Sequence, residues 1–313
     1  MKTVFLDTEG LDDLVLDNLR DECVTFDTFK STATSDIDER INGAEIVILN
    51  KVAITRKHLE NSPSVKLICV VATGTDVIDI QGARELGVTI CNCQAYGTDS
   101  VAQHVFSSIL ALSTNLIPYH TSVQNGQWQK SSQFCFLDFP IAELKNKTLG
   151  IVGYGNNGRR VAEIAKAFGM RIIIARRPGA NGNDRPTLME MLPEIDILTL
   201  HCPLTPQTKN LIDENALAQM KSSAFLINAA RGGIVNEYAL VQALVSNKLA
   251  GAAVDVLSVE PPRESNPLLD IQLPNLIITP HCAWASKEAR QRIIDQTVEN
   301  IRAYKANSPL RVI

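Results

Sequence analysis

The chain has no long basic run, and its 34 acidic residues outnumber its 30 basic ones for a formal net charge of -4. That balance argues against nucleic acid as the principal partner. No apolar stretch reaches the length needed to span a bilayer, so no membrane partner is expected. The opening residues, Met1-Lys2-Thr3-Val4-Phe5-Leu6-Asp7, run from a short strand pattern straight into acid, without the length or flanks of a signal peptide. The seven cysteines are odd in number and their spacing draws no disulfide framework. Cys69 and Cys91 sit in apolar runs where a small hydrophobe would serve. Reduced thiols in a cytoplasmic protein are therefore expected. No metal centre is expected either. Cys91 and Cys93 lie too close in sequence for the usual zinc pairing. His201-Cys202 and His281-Cys282 are neighbours on extended segments, whose side chains point opposite ways. Short-period repeats and low-complexity segments are absent too.

What is present is a globular composition, 45% hydrophobic and 20% charged, over 313 residues, which gives room for two domains. Short apolar runs at Thr3–Asp7, Val24–Phe29, Glu45–Asn50, Lys66–Ala72 and Val88–Asn92 read as strands. They alternate with helical patterns near Leu11–Arg20, Asp36–Asn42, Thr55–Asn61 and Asp79–Leu86. A longer helix is expected over Asp99–Leu116, then a polar and aromatic stretch with little periodicity, Gln124–Lys145. A second alternating set follows. Its strands are Leu149–Gly153, Arg171–Ala175, Ile195–His201, Ala224–Ala229, Ala252–Val256 and Leu276–Thr279. Its helices are Arg159–Phe168, Leu188–Leu192, Asp213–Met220 and Glu237–Asn247, and a last helix runs from Ser286 to about Lys305. Alternation of this kind predicts an α/β protein with parallel sheets covered by helices.

Gly153-Tyr154-Gly155-Asn156-Asn157-Gly158 joins the first strand of the second set to its first helix. In that context the glycines have distinct work. Gly153 permits the tight turn, Gly155 lets a pyrophosphate approach the backbone, and Gly158 lets the helix pack on the sheet. Free N–H groups at the helix start face the anion. The motif lies mid-chain, so a substantial structure precedes the nucleotide fold.

Three polar residues follow strands of the second set: Arg231, Glu260 and His281. Ligands of open α/β sheets bind outside the carboxyl ends of strands, so the three are expected to converge where a nicotinamide is received. The residue types suit a 2-oxo acid. A guanidinium fork matches the carboxylate and polarised carbonyl. An imidazole supplies the proton that a nascent alkoxide needs. A carboxylate beside the imidazole orients it and favours its charged form.

Asn228-Ala229-Ala230-Arg231-Gly232-Gly233-Ile234-Val235 resembles the arginine motif of the D-isomer-specific 2-hydroxyacid dehydrogenases. Gly251-Ala252-Ala253-Val254-Asp255-Val256 with Glu260-Pro261 is similar to their glutamate motif, and Thr279-Pro280-His281-Cys282-Ala283-Trp284 to their histidine motif. With the glycine loop, four ordered motifs carry a resemblance over nearly the whole chain. It implies that Arg231 binds substrate, that His281 is the acid/base supported by Glu260, and that Asp255 holds the nicotinamide carboxamide. It implies further cofactor contacts from Ala229 and Ala230, from His201, Cys202 and Pro203 on the nicotinamide ribose side, and from Thr208 near a phosphate. Thr73 and Gly74, in Val71-Ala72-Thr73-Gly74-Thr75-Asp76, would hold the substrate carboxylate. The resemblance also implies two Rossmann-like doubly wound domains. A nucleotide-binding domain over residues 100–283 is inserted into a substrate domain formed by 1–99 and 284–313. A homodimer joined through Gln124–Lys145 is implied as well.

Within the family, Tyr96-Gly97-Thr98-Asp99-Ser100-Val101-Ala102-Gln103 and the segment around His281-Cys282-Ala283-Trp284-Ala285-Ser286 look most like glycerate dehydrogenases, also called hydroxypyruvate reductases. The implied reaction reduces a small 2-oxo acid, hydroxypyruvate or glyoxylate, and reverses as D-glycerate oxidation. A dehydrogenase for another acid such as D-lactate, or a non-catalytic NAD(H)-sensing corepressor, are the alternatives. Two departures stand out. Asn157 occupies a position that is usually apolar. An acid is expected roughly 20 residues past the glycine loop, where it binds the adenosine ribose hydroxyls. The chain reads Ala175-Arg176-Arg177-Pro178 there. Two cations without an acid predict a preference for NADP(H), with NAD(H) use as the alternative.

Overall fold

The computed structural model describes residues 1–11, 13–179 and 184–313. The chain divides into two compact units, Met1–Gly97 with Ala285–Ile313, and Thr98–Trp284. The first unit carries, among the described residues, a parallel sheet of β1 (Lys2–Phe5), β2 (Thr25–Thr28), β3 (Ile46–Leu49), β4 (Leu67–Val70) and β5 (Thr89–Cys91) in the order β2-β1-β3-β4-β5. β3 and β4 are buried throughout, as strands covered on both faces must be. The short helices α1 (Asp17–Asp21), α2 (Ile37–Ile41), α3 (Arg56–Asn61) and α4 (Ile80–Glu85) connect the strands.

The helix expected over Leu11–Arg20 is confined to α1, and Asp12 lies outside the described residues. Side chains of the C-terminal helix take the groups that a longer helix would use. Asp13 accepts from Arg290, and both backbone polar groups of Val15 bond to the Gln291 amide.

The second unit opens with α5 (Thr98–Thr114). Asn115 then takes a left-handed conformation (φ 50°) and starts an unexpected helix, α6 (Leu116–Gln124). The pattern concealed it because α6 buries none of its residues, so no apolar stripe marks it. Six strands follow: β6 (Thr148–Val152), β7 (Arg171–Ile174), β8 (Ile197–Leu200), β9 (Phe225–Asn228), β10 (Gly251–Val254) and β11 (Leu276–Ile278). Every pairing is parallel, in the order β11-β10-β9-β8-β6-β7. α7 (Asn156–Ala167), α8 (Leu188–Met191), α9 (Glu214–Gln219) and α10 (Glu237–Val245) complete the unit. One hydrophobic cluster, around Leu198, Leu226 and Leu240, and another, around Val105, Ile151 and Val161, flank this sheet. α11 (Lys287–Lys305) returns the chain to the first unit.

Helix starts are set by side-chain caps: Asp213 accepts the Ala216 N–H at 2.9 Å, Asn236 the Ala239 N–H at 3.0 Å and Ser286 the Ala289 N–H at 3.2 Å. In each sheet the strand order reverses beside the first strand, between β1 and β3 and between β6 and β8. Loops at the carboxyl edge beside such a reversal are where ligands of open α/β sheets sit. The glycine loop leaves β6 at that point. No helix among the described residues is long and apolar enough to cross a membrane.

Candidate active site

The glycine loop is sterically dictated. A Cβ on Gly153 (φ 94°) would stand 2.6 Å from the backbone nitrogen of Cys202, and one on Gly158 would stand 2.2 Å from the Gly153 carbonyl oxygen. The loop, the start of α7 and the end of β8 can approach so closely only without side chains. A Cβ on Gly155 would meet nothing within 4 Å, so the loop faces open space at that point. α7 starts at Asn156, three residues earlier than the pattern predicts, and Gly155 is its N-cap. Asn156, Asn157 and Gly158 therefore form its first turn, where backbone N–H groups lack intrahelical partners. Asn157 thus sits in the helix start rather than in a free loop.

At the end of β8, His201 Nε2 lies 3.0 Å from the Thr199 hydroxyl. His201 Nδ1 is enclosed and has no partner among the described residues. The residue keeps some exposed surface, but burial of the ring pushes its pKa down to about 4. An enclosed, partnerless ring nitrogen on the segment that packs against Gly153 fits a bound polar ligand. Cys202 and Pro203 follow. Thr208 turns its hydroxyl inward, donating to the Pro203 carbonyl at 2.7 Å and accepting the Thr205 N–H at 2.7 Å. Thr208 is buried, and its hydroxyl holds the 203–208 turn.

Past β7, Ala175 is buried, Arg176 half-buried and Arg177 exposed. The Arg176 N–H donates to the Pro186 carbonyl at 2.7 Å and its Nε to the Arg185 carbonyl at 3.1 Å. The Tyr154 ring, inside the glycine motif, has the Arg159 and Arg185 guanidinium carbons at 6.0 and 5.4 Å from its centroid. This corner is cationic.

The other three motifs are tied together by hydrogen bonds. Asn228, buried at the end of β9, accepts the Ala230 N–H at 3.1 Å and donates to the Arg231 carbonyl at 3.1 Å, which fixes the Ala229-Ala230-Arg231 turn. Arg231 is exposed, with Nη1 on the Ala230 carbonyl at 2.7 Å. A Cβ on Gly232 would fall 1.8 Å from the Leu257 carbonyl oxygen, so this turn lies directly against the segment that leads to Glu260. Glu260 accepts the Leu257 N–H at 2.8 Å through Oε1, and its Oε2 lies 2.6 Å from His281 Nδ1. His281 has φ 53°, and its N–H bonds to the Asp255 carbonyl at 2.7 Å. The Trp284 indole N–H donates to the His281 carbonyl at 3.0 Å.

The carboxylate of buried Asp255 accepts the Cys282 and Ala283 N–H groups at 3.0 and 2.9 Å and the Thr279 hydroxyl. His104 Nε2 of α5 lies 3.2 Å from that hydroxyl. His104, Asp255 and Cys282 offer ligand atoms within 4.8 Å of one another. The Thr279 hydroxyl already bonds both His104 and Asp255, and the cluster serves as a hydrogen-bond network.

The structure thus brings Glu260 and His281 into direct contact and sets the Arg231 turn against the Glu260 segment. Thr73 and Gly74 lie in the first unit, in the loop after β4. There the Thr73 hydroxyl donates to the Cys93 carbonyl and its carbonyl accepts from Asn92, both at 2.9 Å. The sequence reading missed Asn228, Thr279 and His104, which hold the site rather than face outward. Asn228 and Thr279 stood inside the quoted motifs; His104 carried no signal beyond its place on α5.

The family model described as "D-isomer specific 2-hydroxyacid dehydrogenase, NAD binding domain" matches residues 106–283. A glycerate dehydrogenase of Methylorubrum extorquens is 45% identical, covering 100% of this chain and 98% of that protein. A hydroxypyruvate reductase of Blautia hydrogenotrophica is 36% identical, covering 98% of this chain and 95% of its own length. A solved acyclic imino acid reductase in complex with NADPH and D-Arg superposes with a TM-score of 0.86 at 30% identity, covering 100% of both chains. The chain belongs to the D-isomer-specific 2-hydroxyacid dehydrogenase family and is an oxidoreductase that uses a nicotinamide cofactor.

Proposed function

We propose that the protein reduces hydroxypyruvate or glyoxylate to the D-2-hydroxy acid with NADPH, and catalyses the reverse oxidation of D-glycerate. The 2.6 Å contact between His281 Nδ1 and Glu260 is the observation that carries this reading. With Nδ1 engaged, Nε2 is left to pass a proton to the substrate oxygen, and the carboxylate fixes the ring's orientation. Arg231 holds the substrate carboxylate and polarises its carbonyl. Thr73 and Gly74 are the substrate-binding residues of the first unit. The nicotinamide, when bound, supplies or accepts the hydride. Asp255 anchors its carboxamide; Gly153, Gly155, Asn156, Asn157 and Gly158 receive the pyrophosphate; His201, Cys202, Pro203, Ala229 and Ala230 line the nicotinamide side. Residues 100–283 form the cofactor domain, and 1–99 with 284–313 the substrate domain.

The preference for NADPH rests on Arg176 and Arg177, on the absence of an acid at residues 175–178, and on the arginines around Tyr154. A homodimer is supported by the exposure of Leu116, Ile117, Trp128, Phe134, Leu137 and Ile141 along α6 and the excursion after it. A cytoplasmic setting is supported by seven free cysteines. Steady-state kinetics with hydroxypyruvate, glyoxylate and bulkier 2-oxo acids, each with NADPH and NADH, test the reading. It predicts the highest kcat/KM for a small acid with NADPH. Equal kcat/KM for the two cofactors removes the NADPH preference, and a bulky-acid optimum removes the substrate assignment.

A further inference from the structure

Glu260 rides on an excursion with few anchors of its own. After β10 the chain is buried through Leu257, and Ser258, Val259 and Glu260 are exposed. Pro261 and Pro262 then contribute no N–H. One carboxylate closes this excursion at both ends. Glu237, the first residue of α10, accepts the Ser258 N–H at 2.7 Å, the Ser258 hydroxyl at 2.8 Å and the Asn266 side-chain amide at 3.0 Å. Asn266 is buried, and its Oδ1 accepts the Leu268 N–H at 3.0 Å, so the far end is fixed as well. Glu237 is itself well placed: an acid in the first turn of a helix meets the positive end of its dipole.

We propose that Glu237 is a positioning residue for the acid/base pair, holding the 258–266 excursion so that Glu260 stays on His281. The proposal rests on the reading of Glu260 and His281 as that pair. Ser258 stands two residues before Glu260, and the Leu257 N–H already fixes Glu260 Oε1. Loss of the Glu237 bonds leaves the excursion free to swing, and Glu260 Oε2 then spends less time on the imidazole. Little of this would register in cofactor binding, because Glu237 lies on α10 and away from the glycine loop in sequence.

The test is Glu237→Gln, near in shape but with an amide facing two donors. Expected is a fall of about tenfold in kcat for reduction with NADPH KM nearly unchanged. The basic limb of the kcat pH profile should move in the same direction as that expected for Glu260→Gln. The double variant should be little worse than Glu260→Gln alone, since both substitutions break the same interaction. Ser258→Ala, which removes one of the three bonds, should show the same shift in smaller measure and guards against a folding defect in Glu237→Gln. A limb that stays in place in both variants, or effects that multiply in the double variant, overturns the proposal. If Glu260→Gln itself leaves the limb in place, the reading of the pair falls and this proposal with it; if Glu260→Gln moves it and Glu237→Gln does not, only the proposal falls.

Discussion

The Arg231–Glu260–His281 corner and the Arg176–Arg177 corner belong to the same unit and the same sheet edge, yet they are built differently. The first is laced by side-chain-to-backbone bonds: Asn228 to the Arg231 turn, Glu260 to Leu257, Asp255 to Cys282 and Ala283. The second is half-exposed, with Arg176 tied to the Arg185 and Pro186 carbonyls and Arg177 exposed. Proton transfer, the role proposed for the first corner, tolerates little error in geometry, and a laced corner suits it. Recognition of a phosphate, the role proposed for the second corner, asks mainly for charge and reach.

Breaking the laced corner should therefore cost turnover, and breaking the cationic corner should cost only selectivity. The largest effect is expected from Arg231→Ala, with kcat/KM falling roughly 10²–10³-fold through both kcat and substrate KM. A defect confined to cofactor binding would move Arg231 out of the substrate role. Glu260→Gln should lower kcat about a hundredfold and displace the basic limb of the pH profile, because the imidazole loses the carboxylate on its Nδ1. An unmoved limb would make Glu260 a mere packing residue.

For the other corner, the double substitution Arg176→Ala with Arg177→Ala should reduce the NADPH-to-NADH ratio of kcat/KM by about ten- to thirtyfold, leaving NADH turnover nearly intact. Parallel losses with both cofactors would show that the arginines serve the fold. The last effect concerns stability and leaves turnover aside. The His201 ring is enclosed, and that pushes its pKa down from the ordinary 6.5 to about 4. The unfolded chain binds this proton first, so the stability that the neutral ring confers is complete above pH 6.5 and is lost as pH falls toward 4. The loss should amount to about 1.4 kcal/mol per pH unit in that window. Chemical denaturation at several pH values, on wild type and His201→Asn, measures it; identical slopes would assign the dependence to other groups.

The same contrast explains what the sequence made legible. Short apolar runs predicted the eleven strands among the described residues to within a few residues, because strands of a covered parallel sheet are largely apolar. The glycine motif was legible because a Cβ at Gly153 or Gly158 would collide with backbone. α6 was not, since a helix that buries nothing writes no stripe. α1 was overestimated because Arg290 and Gln291, far along the chain, take the polar groups of Asp13 and Val15. The pairing of Glu260 with His281 was inferred from residue type and motif order; the bonds around it, from Asp255 to His281, Cys282 and Ala283 and from Glu237 to Ser258 and Asn266, join residues distant in sequence and have no local signature.

The account turns on hydride transfer to and from a small acid of D configuration. Its most direct test is the rate of NADP⁺ reduction with D-glycerate and with L-glycerate as separate substrates. The account predicts turnover with D-glycerate and none above background with L-glycerate. Oxidation of the L isomer in preference, or of neither isomer, would contradict it.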